Sequence, residues 1–359
     1  MSEPPINLFE YEARAQAALP SDRWDYIAGG VLDEKTVAWN RDAFDAIKLR
    51  MRTVRDVSER QLSTTVLGTP ISLPVMLAPA GAHTLAHPGG EVETARGAGL
   101  SDTLMVVAVQ ADCSLESVAD AATGPIWFQT KYFGKALTSR LVERAEVAGY
   151  SALVLTVDSV GNLAKERDVR SGLVNPASLG MGLANFAKSA STNPGGFGSA
   201  LPAALPLTWE IVEWLRAQTS LPLVLKGITT HEDTELAVEH EIDAIIVSNH
   251  GGRVLDTMPA AIECLPEVVA AANDALQVYL DSGIRRGTDV LKALALGARA
   301  VAIGRPQFWG LTVSGAQGVH HVIELLRAEL DGALACCGQT SVTALEAGVV
   351  APPTHVRIQ

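Results

Sequence analysis

Eight short apolar runs, each followed by a polar or glycine-bearing break and then a helix-patterned stretch, constrain this chain more than any other feature. The runs are Leu73 to Ala78, Leu104 to Val109, Ile126 to Gln129, Ala152 to Asp158, Leu223 to Lys226, Ala244 to Asn249, Val278 to Asp281 and Ala300 to Gly304. They are apolar throughout rather than at alternate positions, the pattern of parallel strands covered on both faces. The stretches between them, among them Leu137–Ala148, His231–Glu239, Pro259–Asn273 and Thr288–Leu296, carry helical spacing. Strand and helix alternating eight times predict a closed (β/α)8 barrel, a TIM barrel in the α/β class. A doubly wound open sheet is the alternative, but it gives no reason for the count of eight.

A barrel of this kind takes about 250 residues plus insertions, so one domain is expected over residues 1–359. Two additions stand out. Residues 1–70 read as a helical entry segment: Leu8 to Leu19 is amphipathic, Ser21-Asp22 is placed to cap a helix holding Trp24, Tyr26 and Ile27, and Gly29-Gly30 ends it. Between the fourth and fifth runs, residues 159–206 form a long connection rich in Gly, Ala, Ser, Asn and Pro, most sparsely anchored from Ser189 to Ala204. Long connections of this sort in a compact domain tend to serve function, and a lid over the active face is expected.

The formal net charge of −12 argues against nucleic acid and anionic membranes as partners. It leaves room for a small anion, which needs only two or three local cations. No apolar run approaches the length of a membrane span. The N-terminus MSEPPINLFEYEARA is acidic, without the apolar centre of a secretory leader, and the last residues His355 to Gln359 are not a peroxisomal address. Cys113, Cys264, Cys336 and Cys337 show no metal-binding or disulfide spacing. A cytoplasmic location is expected. His83 and His87 are four apart, but Pro88-Gly89-Gly90 takes them off any helix face, so no metal site is expected there. His320-His321 read as structural.

Chemistry in a barrel sits at the C-terminal ends of its strands. Those ends carry Pro79-Ala80-Gly81, Gln110, Gln129, Thr156 with Asp158, Lys226, Ser248-Asn249-His250-Gly251-Gly252-Arg253, Asp281-Ser282-Gly283 with Arg285, and Gly304-Arg305. Polarity is sorted to the ends while the runs themselves stay apolar. His250 and Arg253 set a base beside a cation, and the intervening glycines would let a flat group approach the backbone. Asp158 could fix the tautomer of His250 and stabilise its charged form. The glycines and arginines at the last two ends suit a phosphate, although Arg285 and Arg286 could instead pair with surface acids. Lys226 could stand beside a ring that gains negative charge on reduction, or neutralise Asp158 or Asp281.

These residues together resemble the FMN-dependent 2-hydroxy acid oxidase and dehydrogenase family, which includes glycolate, lactate and hydroxymandelate oxidases. The likeness runs from about Asp22 to Leu330. Its sharpest parts are Ser248 to Arg253 with Leu255-Asp256, Asp281 to Asp289 with Lys292 to Ala298, and Ile303-Gly304-Arg305-Pro306; Leu85 to Pro88 and Leu155 to Asp158 also match. The resemblance implies His250 as catalytic base supported by Asp158, with Arg253 and Tyr26 on the substrate carboxylate. It implies Pro79, with Ala80 and Gly81, Gln129, Thr156, Lys226, Ser248, Asp281, Gly283, Arg285, Gly304 and Arg305 as FMN contacts. With no membrane segment or haem domain in view, oxygen rather than a quinone is expected as electron acceptor, and apolar helical faces, with the family's tendency to tetramers, point to a homotetramer.

The chain departs from the family where substrate would lie. The family's Gln-Leu-Tyr becomes Gln129-Thr130-Lys131, with Tyr132 one place late. An arginine pair becomes Ala164-Lys165, which loses the bidentate fork. Serine-serine-tryptophan becomes Ala108-Val109-Gln110, and Asp-Gly-Gly becomes Asp281-Ser282-Gly283. Lys131 and Lys165 therefore join the substrate-binding set, unless Lys131 turns away and Tyr132 takes its place. The expected reaction is oxidation of a 2-hydroxy acid at its α-carbon to a 2-oxo acid, by a hydride or a carbanion route through the same residues. The alternatives are oxidation of an amine, a modified amino acid or a peptide-derived group on the same scaffold, and a non-catalytic barrel serving as a flavin-binding or scaffold protein.

Overall fold

The computed structural model describes residues 3–159, 161, 163–172, 181–186, 204–346 and 348–351. Three helices open the chain, α1 (Leu8–Ala18), α2 (Ser21–Ala28) and α3 (Lys35–Ala46), followed by a two-stranded hairpin, β1 (Thr64–Val66) and β2 (Thr69–Ile71). Eight further strands then form the barrel: β3 (Val75–Leu77), β4 (Met105–Ala108), β5 (Ile126–Thr130), β6 (Leu153–Thr156), β7 (Leu223–Ile228), β8 (Ala244–Val247), β9 (Gln277–Asp281) and β10 (Ala300–Ile303). Every neighbouring pair is parallel, and β10 closes onto β3. Helices α4 (Gly90–Leu100), α5 (Leu115–Ala121), α6 (Lys135–Val147), α7 (Glu166–Ser171), α8 (Trp209–Arg216), α9 (His231–Glu239), α10 (Ala261–Ala272), α11 (Gly287–Ala295) and α12 (Arg305–Cys336) lie between and after them. The fold is a (β/α)8 barrel.

The continuous apolar runs follow from two cores that share each strand. Successive side chains of a strand point to opposite faces. Met76, Val106, Trp127, Val154, Val224, Ile246 and Tyr279 fill the barrel, while Leu77, Val107, Phe128, Leu155, Leu225, Ile245 and Leu280 pack outward under the helices. Trp127 and Tyr279 meet inside with ring centroids 5.8 Å apart. Each fully buried residue of this size contributes roughly 1.5–3 kcal/mol, so neither face tolerates a polar position until the strand ends.

The entry segment differs from the helical reading. Residues 47–63 are not helical, and the β1–β2 hairpin sends Val66 and Ile71 into the inner core beside Met76 and Leu104. Its turn uses Leu67 and Gly68, both at positive φ (45° and 77°). The Leu67 amide donates to Gln277, at the N-terminal end of β9, so the hairpin plugs the barrel end opposite the strand C-termini. Ser21 is the first residue of α2 rather than its cap, and Pro20 precedes it with no side-chain cap bond.

The 159–206 connection is not wholly irregular where it is described: α7 packs against α2, and Gly182 donates to Asp112 at 2.5 Å, pinning residues 181–186 beside the β4 end. Residues 160, 162, 173–180, 187–203, 347 and 352–359 lie outside the described residues, so most of the expected lid and the terminal pentapeptide do too. The structural reading of the adjacent histidines matches their contacts: His320 meets the Ser101 hydroxyl and His321 the Tyr11 hydroxyl, each at 2.8 Å.

Candidate active site

A cavity of about 260 Å³ opens at the C-terminal ends of the strands. Of the site residues singled out above, all but Asp158 and Ser248 line it; those two stand behind it, one on His250 and one on Lys226.

His250 follows β8 in the left-handed region (φ 57°), as do Gly251 and Gly252 (65° and 75°). This tight reversal turns the imidazole back over the barrel mouth. The glycines also have a cause within the protein. A Cβ on Gly251 would lie 2.9 Å from Arg305 Nη1, and one on Gly252 would lie 2.7 Å from Val37 Cγ2. They therefore permit the close approach of Arg305 and Val37, and Gly251 also lines the cavity. Imidazole Nδ1 lies 2.9 and 3.1 Å from the two carboxylate oxygens of Asp158. Asp158 reaches it because β7 breaks register at Gly227 (φ 114°), where a Cβ would sit 2.6 Å from that of Asp158.

Burial alone would raise the Asp158 carboxyl, but His250, Lys226 and Lys131 outweigh it and hold it at about 2. Burial pushes His250 below its ordinary value, with Lys226 and Lys131 adding to the effect while Asp158 opposes it. The arrangement is a neutral imidazole held by an ionised carboxylate, which leaves Nε2 available for a proton.

Lys226 is buried, with Nζ 2.8 Å from Ser248 Oγ and 3.1 Å from Asp281 Oδ2. Of its two candidate acidic partners, Asp281 is the one in contact. Burial opposes its charge, but Asp281 and Asp158 more than compensate, so the ammonium persists above its ordinary range. Ser282 occupies a left-handed position (φ 75°), and its hydroxyl donates to Asp281 at 2.8 Å while accepting the Gly251 amide at 3.1 Å. The serine thus ties the β8 and β9 ends together. Gln129 donates to Thr156 at 2.7 Å, linking β5 and β6.

The two candidate phosphate arginines part company with Arg286. Arg286 pairs with Glu329 at 2.6 Å. Arg285 instead donates to the Ile284 carbonyl and stacks over Trp309 at 4.7 Å, and Arg305 donates only to the carbonyls of Ile27, Ala28, Gly29 and Gly251. Neither has a carboxylate partner among the described residues. Burial and their like-charged neighbours pull Arg285 down to about 10 and Arg305 to about 9. Beside them Gly304 precedes the N-terminus of the long helix α12, and a Cβ there would meet nothing within 4 Å. Two unpaired guanidiniums, an open glycine and a helix N-terminus fit a phosphate.

Tyr26, Arg253, Lys165 and Lys131 line the same cavity, with Arg253 and Arg305 both donating to the Gly29 carbonyl. Arg253 and Lys165 lie over the Tyr26 ring at 5.1 and 5.8 Å from its centroid, and Arg253 is braced by the carbonyls of Tyr26 and Gly29. Burial raises the Tyr26 phenol, with Asp168 adding to it, so the hydroxyl stays protonated. Burial and Arg253 lower Lys165 to about 8. Lys131 lines the cavity whereas Tyr132 packs on Trp214 with ring centroids 6.0 Å apart. The open choice at the β5 end is thus resolved toward the lysine.

Asp168, Met181, Gly182 and Phe308 were not legible as site residues. Asp168 is buried on α7 near Arg253 and Lys165, and burial raises its carboxyl. Its one signal in the sequence is an acid three places after Lys165. The other three line the cavity with no polar signature at all.

A phosphate cradle, polar strand ends and a carboxylate-held imidazole in one barrel mouth define a flavin-nucleotide oxidoreductase of the (β/α)8 class. Residues 15–352 match the family described as FMN-dependent dehydrogenase, and the chain belongs to that family. It is 47% identical over 347 residues to an L-lactate oxidase of a Nostoc species, covering 93% of this chain and 94% of that one. It is 45% identical over 342 residues to a peroxisomal (S)-2-hydroxy-acid oxidase of Oryza sativa subsp. japonica, covering 94% and 93%. A crystal structure of mandelate oxidase with benzoyl-formic acid superposes with a TM-score of 0.87 at 37% identity, covering 95% of this chain and 96% of that one. FMN is the cofactor of the family, and the cavity's arginines, Lys226, Gln129 and Thr156 suit it.

Proposed function

We propose that the protein oxidises a 2-hydroxy acid to a 2-oxo acid with oxygen as the final acceptor. The observation that carries this is His250, with Nδ1 bound to Asp158 at 2.9 Å, facing the same cavity as Arg253. Arg253, Lys165 and Tyr26 hold the substrate carboxylate: two cations and a protonated phenol around one anion. His250 Nε2 takes a proton from the substrate, from the hydroxyl in a hydride route or from the α-carbon in a carbanion route. Asp158, already ionised, stabilises the imidazolium, help that contributes about 10²–10⁴-fold. Arg285, Arg305, Gly304 and Gly283 would hold the cofactor phosphate. Pro79, Ala80, Gly81, Gln129, Thr156 and Lys226 would border its ring, with Ser248 and Asp281 fixing Lys226. Bound FMN supplies a two-electron acceptor that oxygen restores, so the balance is one 2-oxo acid and one hydrogen peroxide per 2-hydroxy acid and oxygen.

Support for an oxidase comes from the lactate and (S)-2-hydroxy-acid oxidases that the chain resembles along nearly its whole length. The test is stoichiometry: purified yellow protein with a panel of 2-hydroxy acids should consume oxygen and yield 2-oxo acid and peroxide in equal amounts. Turnover only with an artificial dye, and none with oxygen, would replace the oxidase with a dehydrogenase.

A homotetramer in the cytoplasm completes the reading. The four cysteines are unpaired, as in a reducing compartment, although the rice relative is named as peroxisomal. Exposed Leu32 and Leu163 lie on segments joined where the Leu32 amide meets the Ala164 carbonyl, apolar surface suited to another subunit. Light scattering should give four chains per particle.

A further inference from the structure

Asp168 is a buried acid that the reaction above leaves idle. It is 2% exposed, and neither of its carboxylate oxygens has a hydrogen-bond partner among the described residues. Buried polar groups are nearly always bonded, and leaving a carboxylate unbonded costs stability. Its place in the fold supplies a reason. Lys165 is the N-cap of α7 and Asp168 the third residue of that helix, so the two share its first turn. Helix α7 packs on α2, which carries Tyr26, and Lys165 and Arg253 lie over the Tyr26 ring at 5.8 and 5.1 Å. Asp168 thus neighbours the three groups assigned to the substrate carboxylate, yet unlike them it does not line the cavity. Burial raises its carboxyl and Arg253 and Lys165 partly offset this, while Asp25 and Glu34 are the other acids within reach. Glu34 is already engaged, by Arg167 and the Gly30 amide.

Burial, Arg253 and Lys131 pull Lys165 down to about 8, and Asp168 is the acid that opposes them. An acid bonded to Lys165 would also hold its charge, but it would occupy the N–H donors and compete with an incoming carboxylate. An acid that is close yet unbonded supplies the field alone, because Coulomb attraction reaches beyond hydrogen-bond distance. Resting on the 2-hydroxy acid reading above, we propose that Asp168 is a positioning residue for substrate capture: it keeps Lys165 charged in the empty cavity and, being unbonded, leaves the lysine's donors to the substrate carboxylate. Two opposed effects follow. By holding the lysine's proton, Asp168 extends anion binding to higher pH. As a nearby negative charge, it weakens the binding of an anion wherever Lys165 is already charged. Neutralising it should therefore help binding at low pH and harm it at high pH, a crossover that loosened packing would not produce.

The probe is 2-oxopentanoate, which lacks the α-hydrogen and is not oxidised. It is titrated into the FMN-loaded protein from mildly acidic to mildly alkaline pH, and binding is read from the flavin difference spectrum. In the wild-type protein affinity should fall as pH passes about 8, where Lys165 loses its charge. In Asp168→Asn that fall should begin about one pH unit lower or more, the usual effect of removing an opposite charge a few ångströms away. On the acidic plateau the same variant should bind the probe severalfold more tightly. Asp168→Glu, which keeps the charge, should return the fall to its wild-type position. In Lys165→Arg the fall should be absent with or without Asp168→Asn, because a guanidinium keeps its proton throughout. A fall that persists in Lys165→Arg belongs to Lys131, the other lowered ammonium lining the cavity, and overturns the inference. So does an unmoved fall in Asp168→Asn, or a weakening that is equal at every pH. Should the asparagine variant not fold, Asp168→Ser takes its place under the same outcomes, and a chain that folds with neither makes the acid structural and overturns the inference. Anaerobic mixing with a series of 2-hydroxy acids separates this role from the reaction beneath it. Flavin bleaching together with an unmoved fall sinks only the role of Asp168, while bleaching by no 2-hydroxy acid sinks the reaction as well.

Discussion

Two groups of residues around the cavity are built on opposite plans. From β7 to β10 the polar groups answer one another: Lys226 meets Ser248 and Asp281, Ser282 bridges Asp281 to Gly251, and Arg305 is held by four carbonyls. At the β5 and β6 ends and in the segment before α7, Lys131 and Lys165 have no such partners among the described residues, and Lys165 titrates at about 8. The first group is preorganised before anything binds, which suits a cofactor that stays. The second is completed by its ligand, which suits a substrate that leaves. The dyad of His250 and Asp158 is drawn tight from the protein side, with His250 facing the cavity.

That contrast can be broken most forcefully at the dyad. His250→Ala should slow anaerobic flavin reduction by about 10²–10⁴-fold, the usual worth of a general base, while the yellow FMN absorbance persists in stopped-flow traces. A variant that reduces flavin at full rate removes the imidazole from the chemistry. Gly227→Ala probes how the dyad is held. Its methyl would press on Asp158, so the acidic limb of the kcat/KM profile should move and the rate should fall by about tenfold or more, with the barrel still folding.

On the cofactor side, Arg305→Met removes one buried cation that a phosphate would use. Charged hydrogen bonds of this kind contribute about 1.5–3 kcal/mol, so FMN should dissociate roughly tenfold to a hundredfold more readily, as equilibrium dialysis would register. An unchanged FMN affinity would move the phosphate elsewhere.

The substrate side should show itself in pH. Lys165 is lowered to about 8, so it is charged below that value and loses its charge above it. KM for the acid should therefore rise as pH passes about 8, and Lys165→Arg should abolish that limb. At the acidic end, His250 sits below its ordinary value and must be neutral to accept a proton. Activity is therefore retained as pH falls to the ordinary imidazole range and is lost only below it. The smallest effect belongs to Ser282→Gly. It relieves a left-handed serine, worth about 1–2 kcal/mol, and gives up two hydrogen bonds of about 1 kcal/mol each. The melting temperature should hardly move, while the Lys226 environment loosens.

Much of the fold was legible because burial on both faces leaves a plain mark. All eight barrel strands fall within the apolar runs or extend them by one or two residues, and His231–Glu239 matches α9. The β1–β2 hairpin left no such mark: three-residue strands containing Pro70 and turning at Leu67-Gly68 are too short for periodicity to register. The polar strand ends were legible as a set because nothing else in an apolar core accounts for them. The direction of Lys131 was not, since at a strand end one residue of register decides which of two neighbours faces the mouth. Nor was the part that Arg305 and Val37, far away in sequence, play in requiring Gly251 and Gly252. Asp168 escaped notice because its burial is created by the packing of α7 on α2.

The most direct test of the central claim is anaerobic mixing of the FMN-loaded protein with matched 2-hydroxy acids and 2-amino acids while flavin absorbance is followed. The geometry around His250 and Arg253 predicts rapid bleaching by one or more hydroxy acids and none by the amines. Bleaching by an amine while every hydroxy acid leaves the flavin oxidised would contradict it.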